Sequence, residues 1–302
     1  MCCVKASEEA RIARRSGQVA VILGASGGLG RGLANRFAAE GAAIVVSDID
    51  EQALVDTKRQ LTEGGADVLA ICTDIAKPDE VDELARIAID TFGRLDLVCN
   101  TVGVVVSQNT TWELPLEDWL WQMDVNFWGA IHVVRSFTPI LIGQGYGHVA
   151  NTASTVALTS VSGSAAYVAS KHAVVSLCES LQQDLRAAGS SVKVSVIIPG
   201  AIRSRIYDSA RNRQSEYGES RVSEAQRGES RQYLDEYGAD PDVLAEIVLR
   251  QLDEGRFYVY GRESDIVYAE QHLVGLQQGV LPVPSFARTP GPGSLAMRQQ
   301  SR

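Results

Sequence analysis

Gln18–Gly30, QVAVILGASGGLG, decides the reading of this chain. Its first half, Gln18–Leu23, is a short apolar run rich in β-branched residues and reads as a buried strand. Its second half is Gly24-Ala25-Ser26-Gly27-Gly28-Leu29-Gly30, and the pattern that follows, GRGLANRFAAEG, is helical. Glycines 24, 28 and 30 therefore sit where a strand turns into a helix. Glycine suits that place because the turn is tight and the backbone must approach a pyrophosphate closely. The helix N-terminus then offers free N–H groups and positive dipole to the anion. Three glycines alone can simply make a turn. Here a second strand, Ala43–Ser47 (AIVVS), follows the helix and ends in Asp48, and the combination is a dinucleotide-binding signature. A carboxylate at that strand end can accept hydrogen bonds from both adenosine ribose hydroxyls and repels a 2′-phosphate. No lysine or arginine lies in Ala25–Gly27 to neutralise such a phosphate, so the expected cofactor is NAD rather than NADP. Asp48 could also cap the helix EQALVDTKRQL, but Asp50 is the better-placed cap.

A second stretch, Ser154–Lys171 (STVALTSVSGSAAYVASK), carries chemistry. Tyr167 and Lys171 are four apart, so on a helix both side chains leave one face a turn apart. Ser154 lies upstream on what reads as the end of a strand, GHVANTAS. A phenol is a weak base catalyst at neutral pH because its unperturbed pKa is about 10. An ammonium held alongside favours the phenolate and is expected to draw that pKa toward the working pH. The serine adds a neutral hydroxyl for a carbonyl or alkoxide oxygen. Alone, a tyrosine and a lysine at this spacing are more often an amphipathic surface pair; beside the glycine turn they point to proton transfer at an alcohol or ketone.

With both motifs in view, the chain resembles the short-chain dehydrogenase/reductase family, in its subgroup of shorter soluble enzymes, from about Gly17 to Tyr260. GASGGLG matches the family's glycine motif, with Leu23 where threonine is usual. Asp74 in CTDIAK matches the acid at the adenine amino group, with Ile75 beside it. Asn100-Thr101-Val102-Gly103 stands where Asn-Asn-Ala-Gly is common. Asn126 in MDVNFWG matches the catalytic asparagine, and Ser154, Tyr167 and Lys171 complete a tetrad. Pro199-Gly200-Ala201-Ile202-Arg203-Ser204 resembles the segment that holds the nicotinamide carboxamide.

The resemblance implies a catalytic set of Asn126, Ser154, Tyr167 and Lys171. Its implied cofactor set is Gly24, Ser26, Gly28, Leu29, Gly30, Asp48, Ile49, Asp74, Ile75, Asn100, Thr101, Gly103, Tyr167, Lys171, Pro199, Gly200, Ile202 and Ser204. No metal is expected. It also implies a reversible hydride transfer between a secondary alcohol and NAD. In that reaction Tyr167 takes the hydroxyl proton, Ser154 holds the oxygen, Lys171 binds the nicotinamide ribose and Asn126 positions a water. A non-catalytic dinucleotide sensor usually lacks the tyrosine or lysine, and both are present. A carrier-protein reductase would want NADPH and a basic surface, against Asp48 and the acidic charge. A long, polar 205–237 stretch and an extra C-terminal helix also resemble bacterial NAD-dependent dehydrogenases of benzylic lignin-type alcohols.

Composition agrees. With 302 residues, 45% of them apolar, the chain can build one large α/β unit. The net charge of −9 argues against nucleic acid as a partner. There is no uninterrupted apolar run of membrane-spanning length, and the charged N-terminus MCCVKASEEARIARRSG does not read as a signal peptide. The cysteines, at 2, 3, 72, 99 and 178, are odd in number and lack ligand-like spacing; Cys72 and Cys99 read as small core residues, and a reducing, cytoplasmic location is expected. His172 follows Lys171 but points well away from it on a helix.

Strands read at 18–23, 43–47, 67–72, 95–100, 147–153, 192–198 and 256–260, and helices at 28–40, 50–63, 78–92, 117–142, 165–188 and 241–254. This alternation predicts an α/β fold: a Rossmann-type doubly wound parallel sheet of about seven strands with helices on both faces. An N-terminal extension (1–16) precedes a single dinucleotide-binding catalytic domain (17–260) that includes a substrate lid at 205–237. A C-terminal helix and flexible tail fill 261–302. Trp119, Trp121, Phe127 and Trp128 read as core and subunit-interface residues, and a homotetramer or homodimer is expected. The expected pocket walls are Val104–Ser107, Thr155–Val161 and the lid, the first two mostly apolar. Tyr207, Tyr217, Tyr233 and Tyr237 could stack on a ring or serve as packing. The expected partner is a small hydrophobic alcohol or ketone, an aromatic carbinol first and a steroid- or terpenoid-type alcohol second.

Overall fold

The computed structural model describes residues 14–106 and 109–281. Seven parallel strands form one sheet: β1 (Val19–Leu23), β2 (Ala43–Asp48), β3 (Val68–Cys72), β4 (Leu97–Asn100), β5 (His148–Thr152), β6 (Lys193–Ile198) and β7 (Tyr258–Tyr260). Their order is β3-β2-β1-β4-β5-β6-β7, so the winding reverses between β1 and β4. Crevices for ligands open at such a reversal, beyond the carboxyl ends of the strands. The expected Rossmann-type, doubly wound architecture is what the chain adopts, and the observed strands lie within a residue or two of the expected ones.

The layers follow from side-chain alternation in buried, β-branched strands. Val19, Val21 and Leu23 of β1 point into one apolar cluster, whereas Ala20 and Ile22 point into the other. The second cluster is closed by α1 (Gly28–Ala39), α2 (Glu51–Glu63) and, beyond the sheet's midpoint, Leu244, Ala245 and Val248 of a later helix, Pro241–Asp253. The first cluster is closed by α3 (Pro78–Phe92), the long segment 116–144 and a helix at Ala165–Ala187. Local signals set the ends. Asp50 caps α2 by accepting from Ala53 N, Pro78 opens α3, and Gly93 closes it at φ +70°.

Three expectations change. The helix expected at 117–142 is two α-helices, α4 (Leu116–Met123) and α5 (Gly129–Gln144), joined by a π-helical segment, Asp124–Trp128. Within it, Trp121 is fully buried while Trp128 is half-exposed, so the tryptophans do not share one role. By length and composition, Leu116–Gln144 could cross a membrane; in this fold its inner face packs on the sheet. Cys72 is exposed, because it ends the edge strand β3, whereas Cys99 lies fully buried in β4.

The 205–237 stretch is more ordered than a polar excursion. It folds into short 3-10 turns at Ile206–Asn212 and Ser215–Tyr217 and then α7 (Glu224–Tyr237), which opens on a reciprocal Ser223/Gln226 capping box. With the helix Ala165–Ala187 as α6, Pro241–Asp253 is α8. The expected extra C-terminal helix is α9 (Ile266–Gln278), and the tail expected beyond it, from 282, lies outside the described residues.

Candidate active site

The strand ends open into a cavity of about 540 Å³. Its floor is the turn after β1. Gly24 adopts φ +80° and Gly28 φ +50°, conformations that L side chains rarely take. A Cβ at Gly30 would lie 2.2 Å from the Gly24 carbonyl oxygen and 2.4 Å from Thr101 Oγ1. Gly27 precedes α1 without any side-chain cap, so the first N–H groups of that helix are left for a ligand. The Ser26 hydroxyl lines the same floor, buried and without a partner. Free donors, a buried hydroxyl and a glycine cradle fit a dinucleotide pyrophosphate.

Asp48 stands at the carboxyl end of β2 in the cavity wall. Its Oδ2 accepts from Ser26 N at 3.1 Å and its Oδ1 from Asp50 N at 3.0 Å, which aims the carboxylate while leaving lone pairs for ribose hydroxyls. Asp74 is already engaged: Ala76 N donates to Oδ1 at 3.0 Å and Gln214 Nε2 donates to Oδ2 at 2.8 Å. The Oε1 of that glutamine is buried with no partner, and both residues line the cavity. Gln214 is a residue that sequence reasoning missed. Its only signal was its place in the long polar segment.

Ile49, Ile75, Leu29, Thr101, Gly103, Pro199, Gly200, Ile202 and Ser204 also line the cavity. Ser204 packs under the glycine turn, since a Cβ at Gly28 would lie 3.1 Å from Ser204 Cβ. Gly30, Asn100 and Asn126 do not line it. Asn100 ties β4 to β5 through Asn151, its Nδ2 donating at 3.0 Å. Asn126 sits in the π-helical segment, where its Oδ1 accepts from Val104 N at 2.8 Å. Its Nδ2 donates to Val104 O and Ser170 Oγ, each at 3.0 Å. Its side chain therefore ties the loop after β4 to the helix Ala165–Ala187.

Ser154, Tyr167 and Lys171 are brought together. Ser154 caps a 3-10 turn just beyond β5 and lines the cavity together with Tyr167. Tyr167 and Lys171 lie on α6, with Nζ 5.7 Å from the centroid of the tyrosine ring. Lys171 donates to Thr152 O at 3.0 Å, and a Cβ at Gly103 would come within 3.3 Å of Nζ, so glycine there makes room for the ammonium. Burial pushes the Tyr167 phenol up to about 12, with the Ser154 hydroxyl pulling the other way. Burial lowers Lys171 to about 8. The expected depression of the phenol by its lysine is thus not what the protein environment produces alone: desolvation weakens the ammonium as well as the phenolate.

The outer wall is apolar and aromatic. Val104, Val105, Val156, Val161 and Trp121 line it, with Tyr207 and Tyr233 from the 205–237 segment; Ser107 lies outside the described residues. Of the other two tyrosines, Tyr217 donates its hydroxyl to Asp124 at 2.9 Å, and Tyr237 is exposed, its ring 5.2 Å from that of Tyr233. Trp121 was expected as a core or subunit-interface residue, and it is both core and wall. The segment is anchored by Arg213, whose guanidinium pairs with Asp118, both side chains 3% exposed, and lies 4.9 Å over the Trp121 ring. His172 bonds Val168 O within its own helix, away from the site. Among the described residues no cluster of His, Cys, Asp or Glu is arranged to hold a metal ion.

Comparison with known proteins agrees with this geometry. The family model described as short chain dehydrogenase matches residues 18–215. A 1-deoxy-11-beta-hydroxypentalenate dehydrogenase of Streptomyces exfoliatus is 43% identical over 188 residues, 61% of this chain and 67% of that protein. The like-named enzyme of Streptomyces arenae is 35% identical over 254 residues, 82% of this chain and 83% of that protein. A short-chain dehydrogenase/reductase from Burkholderia phymatum, solved in complex with NAD, superposes with a TM-score of 0.85 at 34% identity, covering 90% of this chain and 98% of its own. The chain belongs to the short-chain dehydrogenase/reductase family and is an oxidoreductase of that class.

The buried lysine yields a signed pH prediction for the dinucleotide-free protein. Lys171 falls from 10.5 to about 8, so below pH 8 its charge costs the folded state about 3 kcal/mol. Between pH 8 and 10.5 the unfolded chain binds the extra proton, so this cost fades as pH rises. Lys171→Met is expected to be more stable than the parent at pH 7 in urea unfolding and to lose that advantage by about pH 10.5. A gap that stays constant or widens with pH would contradict a buried, charge-strained lysine.

Proposed function

We propose that this protein is an NAD-dependent oxidoreductase that interconverts a bulky hydrophobic secondary alcohol and its ketone. The observation that carries the reading is the Ser154–Tyr167–Lys171 constellation at the mouth of the glycine-turn cleft. Bound NAD supplies the hydride acceptor for the oxidation. Tyr167 takes the hydroxyl proton, and Ser154 holds the substrate oxygen and stabilises its developing charge. Lys171, facing Gly103 and the Thr152 carbonyl, holds the nicotinamide ribose and a proton for exchange. Asn126 acts at one remove, by setting the loop at Val104 and the helix at Ser170. In the resting site the phenol is protonated at neutral pH, so the oxidation rate rises toward alkaline pH.

Valines 104, 105, 156 and 161 favour a hydrophobic substrate over a sugar or a short hydroxy acid. Of the two skeletons that the sequence reading allows, the relatives named for a hydroxypentalenate favour the terpenoid-type alcohol over the aromatic carbinol. The free thiols at Cys72, Cys99 and Cys178 support a reducing, cytoplasmic setting. Tyr167→Phe is expected to lower kcat by about 10²–10⁴-fold, the loss of a general base, with the protein still folded. Retention of near-parental turnover would remove the assignment.

Asp48 and the ribose give the cofactor choice. NAD is expected over NADP by at least about tenfold in kcat/KM, equivalent to about 1.4 kcal/mol, and Asp48→Ala should narrow the gap mainly by weakening NAD. Equal use of both cofactors by the parent enzyme would refute the role given to Asp48.

The exposed Trp112, Leu116 and Leu120, with half-exposed Trp128, form an apolar border along α4 and the π-helical segment. This supports a homodimer or homotetramer built on that face. Light scattering at micromolar concentration should give a multiple of 32.5 kDa, and a monomeric mass would count against the pairing.

A further inference from the structure

Asp265 is a buried carboxylate that the chemistry above does not use. It closes the 3-10 turn Glu263–Asp265 and immediately precedes α9, where an aspartate normally caps the helix through its side chain. It makes no such cap bond. The residue is 7% exposed, and its Oδ2 is buried without a hydrogen-bond partner. It lines the same cavity as Tyr167 and Ser154. Gly200 is shaped around it: a Cβ there would lie 2.9 Å from Oδ2, and the glycine sits at φ +72° just beyond β6. β6 is the neighbour of β5, and Ser154 stands just beyond the end of β5. Asp265 therefore stands in the wall of the reaction cleft with this oxygen turned in against Gly200, on an element outside the region that the family model matches.

A buried carboxylate oxygen left unpaired destabilises the fold, and such groups persist where a ligand completes them. The chemistry of the completing group can be read from its surroundings. Arg262 lines the same wall, donating to Tyr237 O at 2.8 Å, and its guanidinium repels a cationic ligand. Burial raises the Asp265 pKa despite Arg262. A hydroxyl suits both protonation states, since it can donate to the carboxylate or accept from the acid. An ammonium suits only one.

We propose that Asp265 is a specificity-determining residue whose carboxyl group accepts a hydrogen bond from a second hydroxyl of the substrate, remote from the carbinol held by Ser154 and Tyr167. This rests on the alcohol/ketone reading of the site. It narrows the substrate class to a hydrophobic skeleton bearing two oxygens, a diol on the oxidation side and a hydroxyketone on the reduction side. The second hydroxyl is not transformed.

The test uses matched alcohols with the full-length enzyme and NAD: 1-tetralol and mono-hydroxysteroids against the same skeletons with a second hydroxyl at each available position. For at least one pair the parent enzyme should prefer the dihydric member by about tenfold or more in kcat/KM, because a site built to bind a hydroxyl rejects the analogue lacking it. Asp265→Leu should bring that ratio to within about twofold while leaving KM for NAD and turnover of the monohydric member near parental values. The thermal midpoint should be unchanged or higher, because no protein hydrogen bond is lost. An unchanged ratio, an effect confined to KM for NAD, or a lowered midpoint with equal loss on both alcohols would overturn the proposal. Calorimetric affinities of the same alcohols for the enzyme–NADH complex keep it separate from the reaction assignment. A parent enzyme that turns over neither alcohol defeats the reaction assignment. The leucine variant must still lose the dihydric preference in binding, or the role of Asp265 fails as well.

Discussion

Everything at this site depends on how closely the backbone of Gly30 approaches the carbonyl of Gly24. No side chain fits in that contact, where a Cβ would fall 2.2 Å from the oxygen. The closeness lets the chain leave β1 and enter α1 within one turn, which brings the uncapped helix N-terminus to the end of the sheet. Thr101 locks the turn from the next strand, its hydroxyl donating to Leu23 O at 2.7 Å. Asp48 is aimed by the N–H of Ser26 in the same turn. The pyrophosphate cradle, the ribose carboxylate and the loop after β4 thus share one steric constraint.

The reaction centre has a different organising force, which is desolvation. Lys171 is buried and Tyr167 partly so, and each loses the stabilisation that water gives its charged form. The effect drives the two groups apart on the pH scale, the phenol up and the ammonium down. A lone buried Tyr–Lys pair is therefore a poor base at rest. The Thr152 carbonyl and the Ser154 hydroxyl each recover part of the lost solvation, and each lies at or just past the end of β5. The strand end is a set of hydrogen-bond partners for the pair as well as a place to carry serine.

Much of this was legible in the sequence, and what was not has identifiable causes. The strands could be read because all are short, apolar and bounded by turn residues, and the two motifs lie at their ends, where topology puts chemistry. The break in the helix around Asn126 was hidden because DVNFW is as compatible with α as with π geometry. The bulge is decided by the Asn126 bonds to Val104, residues far apart in the chain. Cys72 misled because an apolar strand does not announce whether it lies at the sheet edge. Gln214 and Asp265 were invisible for a plainer reason. Each is an ordinary polar residue in a polar stretch, and only the fold shows that one has its Oε1 and the other its Oδ2 buried with no partner beside the cavity.

The segment over the cleft shows how tertiary placement can outweigh composition. Residues 205–237 are polar enough to be read as solvated, yet their attachment is among the least solvated contacts of the molecule. Arg213 pairs with Asp118 in near-complete burial and stacks on Trp121. Compared with a well-packed apolar contact, a buried ion pair adds little net stability, because desolvation offsets most of the attraction. Its directional effect is stronger: removing either partner leaves an uncompensated buried charge, so the segment tolerates few alternative registers. The aromatic ring beneath the guanidinium is also a wall of the cavity. One residue, Trp121, therefore couples the position of the covering segment to the shape of the space it covers, and a polar stretch acquires a defined seat on an apolar floor.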